Sequence, residues 1–135
     1  MKSKIPTILA VDFDDTIAHV KFPTIIGPRF GAKKYLQKLK DEGFYIIVWT
    51  CRCDEPVEEA YVWLMENNIP FERINKHHPA LIEFYQNDTR KIAADIYIDD
   101  KNLSLFPIMP WPILYWMIKI KAYFLRNKKA LKYCY

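Results

Sequence analysis

Apolar runs of strand length, each ending in polar residues, recur along this chain and restrict the folds open to it. "TILAVDF" (Thr7–Phe13), "FYIIVWT" (Phe44–Thr50) and "ADIYI" (Ala94–Ile98) are continuous rather than alternating, which is the pattern of strands buried on both faces. "PFERIN" (Pro70–Asn75) is a shorter strand candidate. Between these runs the period changes. In "RFGAKKYLQKLKDEG", Ala32, Tyr35, Leu36 and Leu39 fall on one helical face, and Gly43 supplies a stop. In "DEPVEEAYVWLMENN", Asp54 is the expected N-cap and Glu55 and Pro56 suit the first turn. Val57, Ala60, Tyr61 and Leu64 form its apolar face, and Asn67–Asn68 end it. "KHHPALIEFYQNDTRK" has room for one helical turn or two, and "PWPILYWMIKIKAYFLRNKK" reads as a final helix with Pro112 near its start. The segment 18–30, with Pro23, Gly27 and Pro28, reads as a loop or a small hairpin.

This order predicts an α/β fold: a three-layer, Rossmann-like parallel sheet with helices on both faces. The length of 135 residues suits a single domain spanning 1–135, with 101–135 as a C-terminal helix and basic tail. Right-handed crossovers bring the C-terminal ends of parallel strands to one edge, where ligands bind in such sheets. Asp12, Thr50 and Asp99 each stand at the end of a predicted strand.

Charge is divided unevenly. The net charge is +4, yet the last acidic residue is Asp100 and seven basic residues follow it. Such a tail suits an anionic partner, and nucleic acid is one candidate. Three cysteines, Cys51, Cys53 and Cys134, form no spaced disulfide framework, and the chain reads as cytoplasmic. The apolar start of the chain meets Asp12 instead of a small-residue cleavage site, so it reads as a core strand rather than a signal peptide. Leu103–Ile118 is too short and too interrupted by proline to span a bilayer, and no transmembrane segment is expected.

Three carboxylates, Asp12, Asp14 and Asp15, crowd into four positions. They repel one another unless a cation stands among them. Asp99 or Asp100, from another strand end, adds a third piece of chain to the same edge. Clustered hard oxygen donors of this kind suit Mg²⁺. A divalent ion there also lets a phosphate dianion approach acidic groups, with Thr50 and Lys91 to hold its other oxygens.

"DFDDT" (Asp12–Thr16), "IIVWT" ending at Thr50, Lys91, and "IYIDD" ending at Asp99–Asp100 stand in the order of the four motifs of the haloacid dehalogenase-like (HAD) superfamily, and the chain resembles that family over residues 7–100. The resemblance implies an Mg²⁺-dependent phosphatase. Asp12 would be the nucleophile that forms an aspartyl-phosphate, and Asp14 the general acid and base. Thr16 would brace the loop, Thr50 would bind phosphate and Lys91 would steady both nucleophile and phosphate. Asp12, Asp14 and Asp99, with Asp100 as the alternative to Asp99, would form the metal site. The family usually carries Gly where this chain has Asp15, a residue that tolerates left-handed backbone better than most. Too little chain separates the motifs for an inserted cap domain, so the expected architecture is capless.

Arg52, close behind Thr50, could grip a substrate carboxylate or second phosphate, or could sit at the surface capping the next helix. The C-x-C pair Cys51/Cys53 has poor spacing for zinc, and His77 and His78 read as solvated loop residues. In the last helix Trp111, Leu114, Tyr115 and Ile118 read as core packing, with its lysines in water. The substrate implied is a phosphorylated small molecule. Nucleotides or nucleic-acid ends are the alternative, a catalytically idle binding module is the reading from another class, and an oligomer is open.

Overall fold

The computed structural model describes residues 5–103 and 109–127. Its central sheet holds β1 (Ile8–Val11), β4 (Tyr45–Val48), β5 (Arg73–Ile74) and β6 (Ile96–Ile98), in the order β5-β4-β1-β6 and parallel throughout. β1 lies between two neighbours and is wholly buried, as its unbroken apolar run requires. β2 (Ala18–Lys21) and β3 (Thr24–Pro28) form a separate antiparallel hairpin immediately after the Asp-rich turn. The helices are α1 (Ala32–Asp41), α2 (Asp54–Glu66), α3 (Pro79–Tyr85) and α4 (Trp111–Asn127). The architecture is a Rossmann-like α/β sandwich in three layers, with no obvious cap insertion.

Alternation along each strand divides the core. Leu9, Val11, Ile46, Val48, Ile96 and Ile98 pack with Leu36 and Leu39 of α1, Ala60 and Leu64 of α2, and Trp111, Tyr115 and Ile118 of α4. Ile8, Ala10 and Ile47 face the other way, onto Leu81 of α3 and Ile92. The first two crossovers therefore run over one face, and the return from β5 to β6 runs over the opposite one.

α4 is tied to α1 through Glu42, which takes hydrogen bonds from Tyr115 and Lys119. The two helices also meet at Gly31, where φ is +80 and an added Cβ would lie 3.2 Å from both Trp111 Cβ and Tyr35 Cδ2. Any side chain there is opposed by backbone and by packing alike.

Several local expectations change. Asp54 is not the cap of α2. Cys53 holds that position without a side-chain cap bond, and Asp54 enters the helix at φ +50. The buried face of α2 is Ala60 and Leu64, with Trp63 edge-on to Phe13 at 5.6 Å, while Tyr61 is half exposed and turns to Phe71. The far side of α4 carries Trp116, Met117, Ile120, Tyr123 and Phe124 in exposed positions; of its lysines Lys121 is exposed as expected, whereas Lys119 turns to Glu42. His77 is buried, not solvated. Its Nδ1 accepts from the Ala93 amide at 3.2 Å, which leaves Nε2–H to meet the Thr89 oxygens at 3.0 Å. His78 caps α3 by accepting from Ala80 N–H at 3.1 Å. Both histidines thus have structural partners, and the thiols of Cys51 and Cys53 are free and exposed. Among the described residues no helix is long and apolar enough to cross a membrane. The basic tail beyond Asn127 lies outside the described residues.

Candidate active site

The register of the sheet sets the first two acidic positions. Val11 pairs with Val48 on one side and with Ile98 on the other, so Asp12, Trp49 and Asp99 leave their strands at one level. The backbone confirms it: Asp12 N–H donates to Ile98 O at 2.8 Å, and Trp49 N–H to Val11 O at 2.8 Å. Carboxylate oxygens of Asp12, Asp99 and Asp100 lie within 4.8 Å of one another.

Thr16 fastens this cluster. Its side chain is fully buried, and its hydroxyl donates to Asp12 Oδ2 at 3.1 Å while accepting from the Asp100 amide at 3.1 Å. Its carbonyl accepts from the indole of Trp111 at 3.0 Å. One threonine therefore joins the turn after β1, the end of β6 and the first residue of α4. Asp15 permits the tight turn by taking φ +56, the left-handed region that Gly would occupy without cost. Its amide donates to Ala18 O at 2.8 Å, its carbonyl accepts from Arg29 at 2.7 Å and its carboxylate accepts from Val20 N–H at 3.4 Å.

The electrostatics follow from this crowding. Burial first, and then the charges of Asp99 and Asp100, push the Asp12 carboxyl up to about 7, with the Thr16 hydroxyl pulling the other way. Asp100 is also raised, by burial and by its contact with Asp99. Among the described residues its buried Oδ1 has no hydrogen-bond partner. The flanking cation is Lys101, whose ammonium lies 3.7 Å from Asp100 Oδ2 and is itself raised, chiefly by Asp100. Anionic oxygens held this close, one of them buried and unpartnered, suit a small hard divalent cation such as Mg²⁺.

Asp14 is engaged differently. Arg52 Nε donates to Asp14 Oδ1 and Oδ2 at 3.0 and 3.1 Å, and Nη2 to Oδ1 at 2.7 Å. The Arg52 side chain has 0% exposure against 23% for Asp14. Nη1 reaches the carbonyls of Pro23 at 3.0 Å and Pro56 at 3.4 Å, and the guanidinium lies 5.2 Å from the rings of both Phe13 and Phe22. Arg52 thus joins Asp14 to the hairpin tip and to the start of α2. Thr50 is buried beside it. The Thr50 hydroxyl accepts from the Arg52 amide at 3.1 Å and lies 3.4 Å from Asp14 Oδ2. Asn75, at the end of β5, clasps the Thr50 backbone in both directions, accepting from its amide at 2.8 Å and donating to its carbonyl at 2.9 Å.

The structure therefore gathers Asp12, Asp99, Asp100 and Thr16 in one network and Asp14, Thr50 and Arg52 in an adjoining one. Lys91 stands apart from both. It is exposed, with its ammonium 5.4 Å from the centre of the Tyr97 ring, and among the described residues no ion pair joins it to the carboxylates. Asn75, Lys101 and the Trp111 indole escaped the sequence reading. Asn at the end of the β5 run was the one signal for the first, and nothing local marks the other two.

No protein-family model and no curated protein matches the chain. Among solved structures it is 34% identical, with a TM-score of 0.74, to a conserved protein from Bacteroides thetaiotaomicron, over 93% of this chain and 100% of that one. The chain belongs to the family of that protein. The fold is also shared with a chain of the Pnkp1/Rnl/Hen1 RNA repair complex, at 12% identity and a TM-score of 0.51, over 86% of this chain and 40% of that one. A Rossmann-like parallel sheet with Asp12, Asp99 and Asp100 clustered at one edge is consistent with a HAD-like fold.

Proposed function

We propose that this protein is a HAD-type, Mg²⁺-dependent phosphomonoester hydrolase that works in the cytoplasm through an aspartyl-phosphate on Asp12. The observation that carries the reading is the meeting of Asp12, Asp99 and Asp100 within 4.8 Å at the edge of a parallel sheet. Those three side chains would hold the ion, with Asp14 contributing as the resemblance implies. When bound, Mg²⁺ offsets the repulsion among the carboxylates and draws charge from the phosphoryl oxygens.

The chain's own residues divide the work. Asp12 attacks phosphorus, the bond to the leaving oxygen breaks, and Asp14 gives that oxygen its proton. A water then attacks the aspartyl-phosphate, Asp14 takes the water's proton, and phosphate leaves with Asp12 restored as carboxylate. Oδ2 of Asp14 is the oxygen suited to this task, because the shortest Arg52 contact, at 2.7 Å, falls on Oδ1. Each nitrogen of the buried Arg52 guanidinium donates to a group within the protein, so in this reading it positions Asp14 and does not touch substrate. Thr16 keeps Asp12 at the edge, and Thr50, braced by Asn75, offers its hydroxyl to the phosphoryl group. Lys91 joins the site only if substrate draws its side chain off Tyr97.

The test is phosphate release from p-nitrophenyl phosphate with and without Mg²⁺, for wild type and Asp12→Asn. The proposal expects turnover that needs both the ion and Asp12. Absence of Mg²⁺-dependent turnover favours the idle binding module.

A further inference from the structure

An open groove of about 820 Å³ runs between the β2–β3 hairpin and the start of α1. His19, Arg29, Lys33 and Lys34 line it together with Phe30 and Gln37, and among the described residues no carboxylate does. The groove adjoins the nucleophile loop directly. Arg29 N–H donates to Ile17 O at 2.9 Å, and the Arg29 guanidinium donates to Asp15 O at 2.7 Å.

Helix stability does not account for the two lysines. They stand in the first turn of α1, which contains no acidic residue, at the end of the dipole that disfavours cations. Among the described residues neither enters an ion pair; Lys34 lies near the Tyr35 ring at 5.5 Å. Packing does not account for the aromatic residue either, since Phe30 is 88% exposed. At the opposite end of the hairpin Phe22 is 68% exposed beside Arg52. Arg29, just past the hairpin, and Lys33 and Lys34 of α1 supply cations beside the exposed Phe30 ring, with the Phe22 ring exposed at the hairpin tip, and this combination matches the chemistry of a single nucleic-acid strand. Its phosphates take the charges and its bases stack on the rings. A sugar phosphate or a polyphosphate has no use for the rings.

We propose that this groove holds a single-stranded polynucleotide whose terminal phosphate lies at Asp12, which makes nucleic-acid ends the substrate class of the phosphatase proposed above. The inference rests on that reading, and the test separates the two. Binding of a fluorescein-labelled, terminally phosphorylated single-stranded oligonucleotide is followed by anisotropy across a salt series. Wild type, Lys33→Glu/Lys34→Glu and Phe30→Ala are compared, and circular dichroism shows each to be folded. p-Nitrophenyl phosphate turnover is measured in parallel.

The proposal expects the double variant to bind about tenfold more weakly and to lose about 1.4 from the magnitude of the log–log salt slope, about 0.7 for each phosphate contact removed. Phe30→Ala should weaken binding about fivefold or more through lost stacking. Neither variant should alter p-nitrophenyl phosphate turnover. Oligonucleotide affinity unchanged in the double variant overturns the groove. So does an affinity that inorganic polyphosphate abolishes equally well in wild type and Phe30→Ala, or lysine-dependent binding to phosphatidylserine vesicles without oligonucleotide binding. Groove-dependent binding with no turnover of either substrate keeps the groove and overturns the phosphatase.

Discussion

Asp12→Asn should make the metal-free protein more stable while abolishing its proposed chemistry. In the folded chain the Asp12 carboxyl rises from 3.8 to about 7, through burial and the charges of Asp99 and Asp100. A raised carboxyl means that the folded state binds its proton more tightly than the unfolded state. The associated stability is present in full below the unfolded value and is lost as pH climbs through the folded one. The window therefore runs from 3.8 to about 7. Three units at 1.36 kcal/mol each give roughly 4 kcal/mol as a ceiling. Asp12 is partly open to water, and screening brings this to about 2 kcal/mol. Asparagine keeps the shape, keeps an acceptor for Thr16 and carries no charge. In chelator at about pH 8 the variant should melt roughly 5–10 °C above wild type, a difference that closes at about pH 4.5. Saturating Mg²⁺ should raise wild type far more than the variant, because the ion binds only the folded site. Thermal denaturation by circular dichroism at the two pH values measures this. A variant that melts at or below wild type at the higher pH, without metal, would refute the claim that burial and the neighbouring carboxylates together penalise the Asp12 charge.

Other consequences follow from particular contacts. Arg52→Lys cannot reproduce the forked contact with Asp14 while also holding Pro23 and Pro56. It should cost about 2–4 kcal/mol in urea unfolding, in the range for breaking a buried pair, and should lower kcat for p-nitrophenyl phosphate more than it raises KM. An unchanged kcat with a raised KM would instead make Arg52 a substrate ligand. Burial, and secondarily Arg73, lowers the His78 imidazole, and its Nδ1 must stay unprotonated to accept from Ala80 N–H. Its contribution is present above the ordinary imidazole value and lost as pH falls through the lower folded one. His78→Asn, which keeps a capping acceptor without titrating, should remove an acid-induced rise in amide exchange over Pro79–Tyr85, and identical pH profiles for the two proteins would contradict it.

The sheet was legible because burial on both faces leaves an unmistakable sequence trace. Strands at Ile8–Val11, Tyr45–Val48 and Ile96–Ile98 all fall inside the apolar runs, shortened at their ends where polar residues turn the chain. Convergence of Asp12 and Asp99 followed from topology alone, since parallel neighbours must end at one edge. Side-chain allegiance was less legible. Nothing local shows that Arg52 would spend its donors on Asp14, Pro23 and Pro56, because that depends on the hairpin tip and the first turn of α2 both reaching its guanidinium. The same holds for His77, whose burial arises from the Thr89–Ala93 loop crossing it. Tyr61 turned outward because Phe71, beyond the end of α2, offers it a ring to pack against.

The central claim is that Asp12 itself takes up the phosphoryl group. Asp14→Asn should block the second half-reaction and let that species accumulate from p-nitrophenyl phosphate, whose leaving group needs no proton. Acid quench followed by peptide mass spectrometry should then find one phosphoryl group, in the presence of Mg²⁺ only, on the peptide that holds Asp12. Turnover by the wild type with no adduct in this variant, or an adduct on any other residue, would contradict the account.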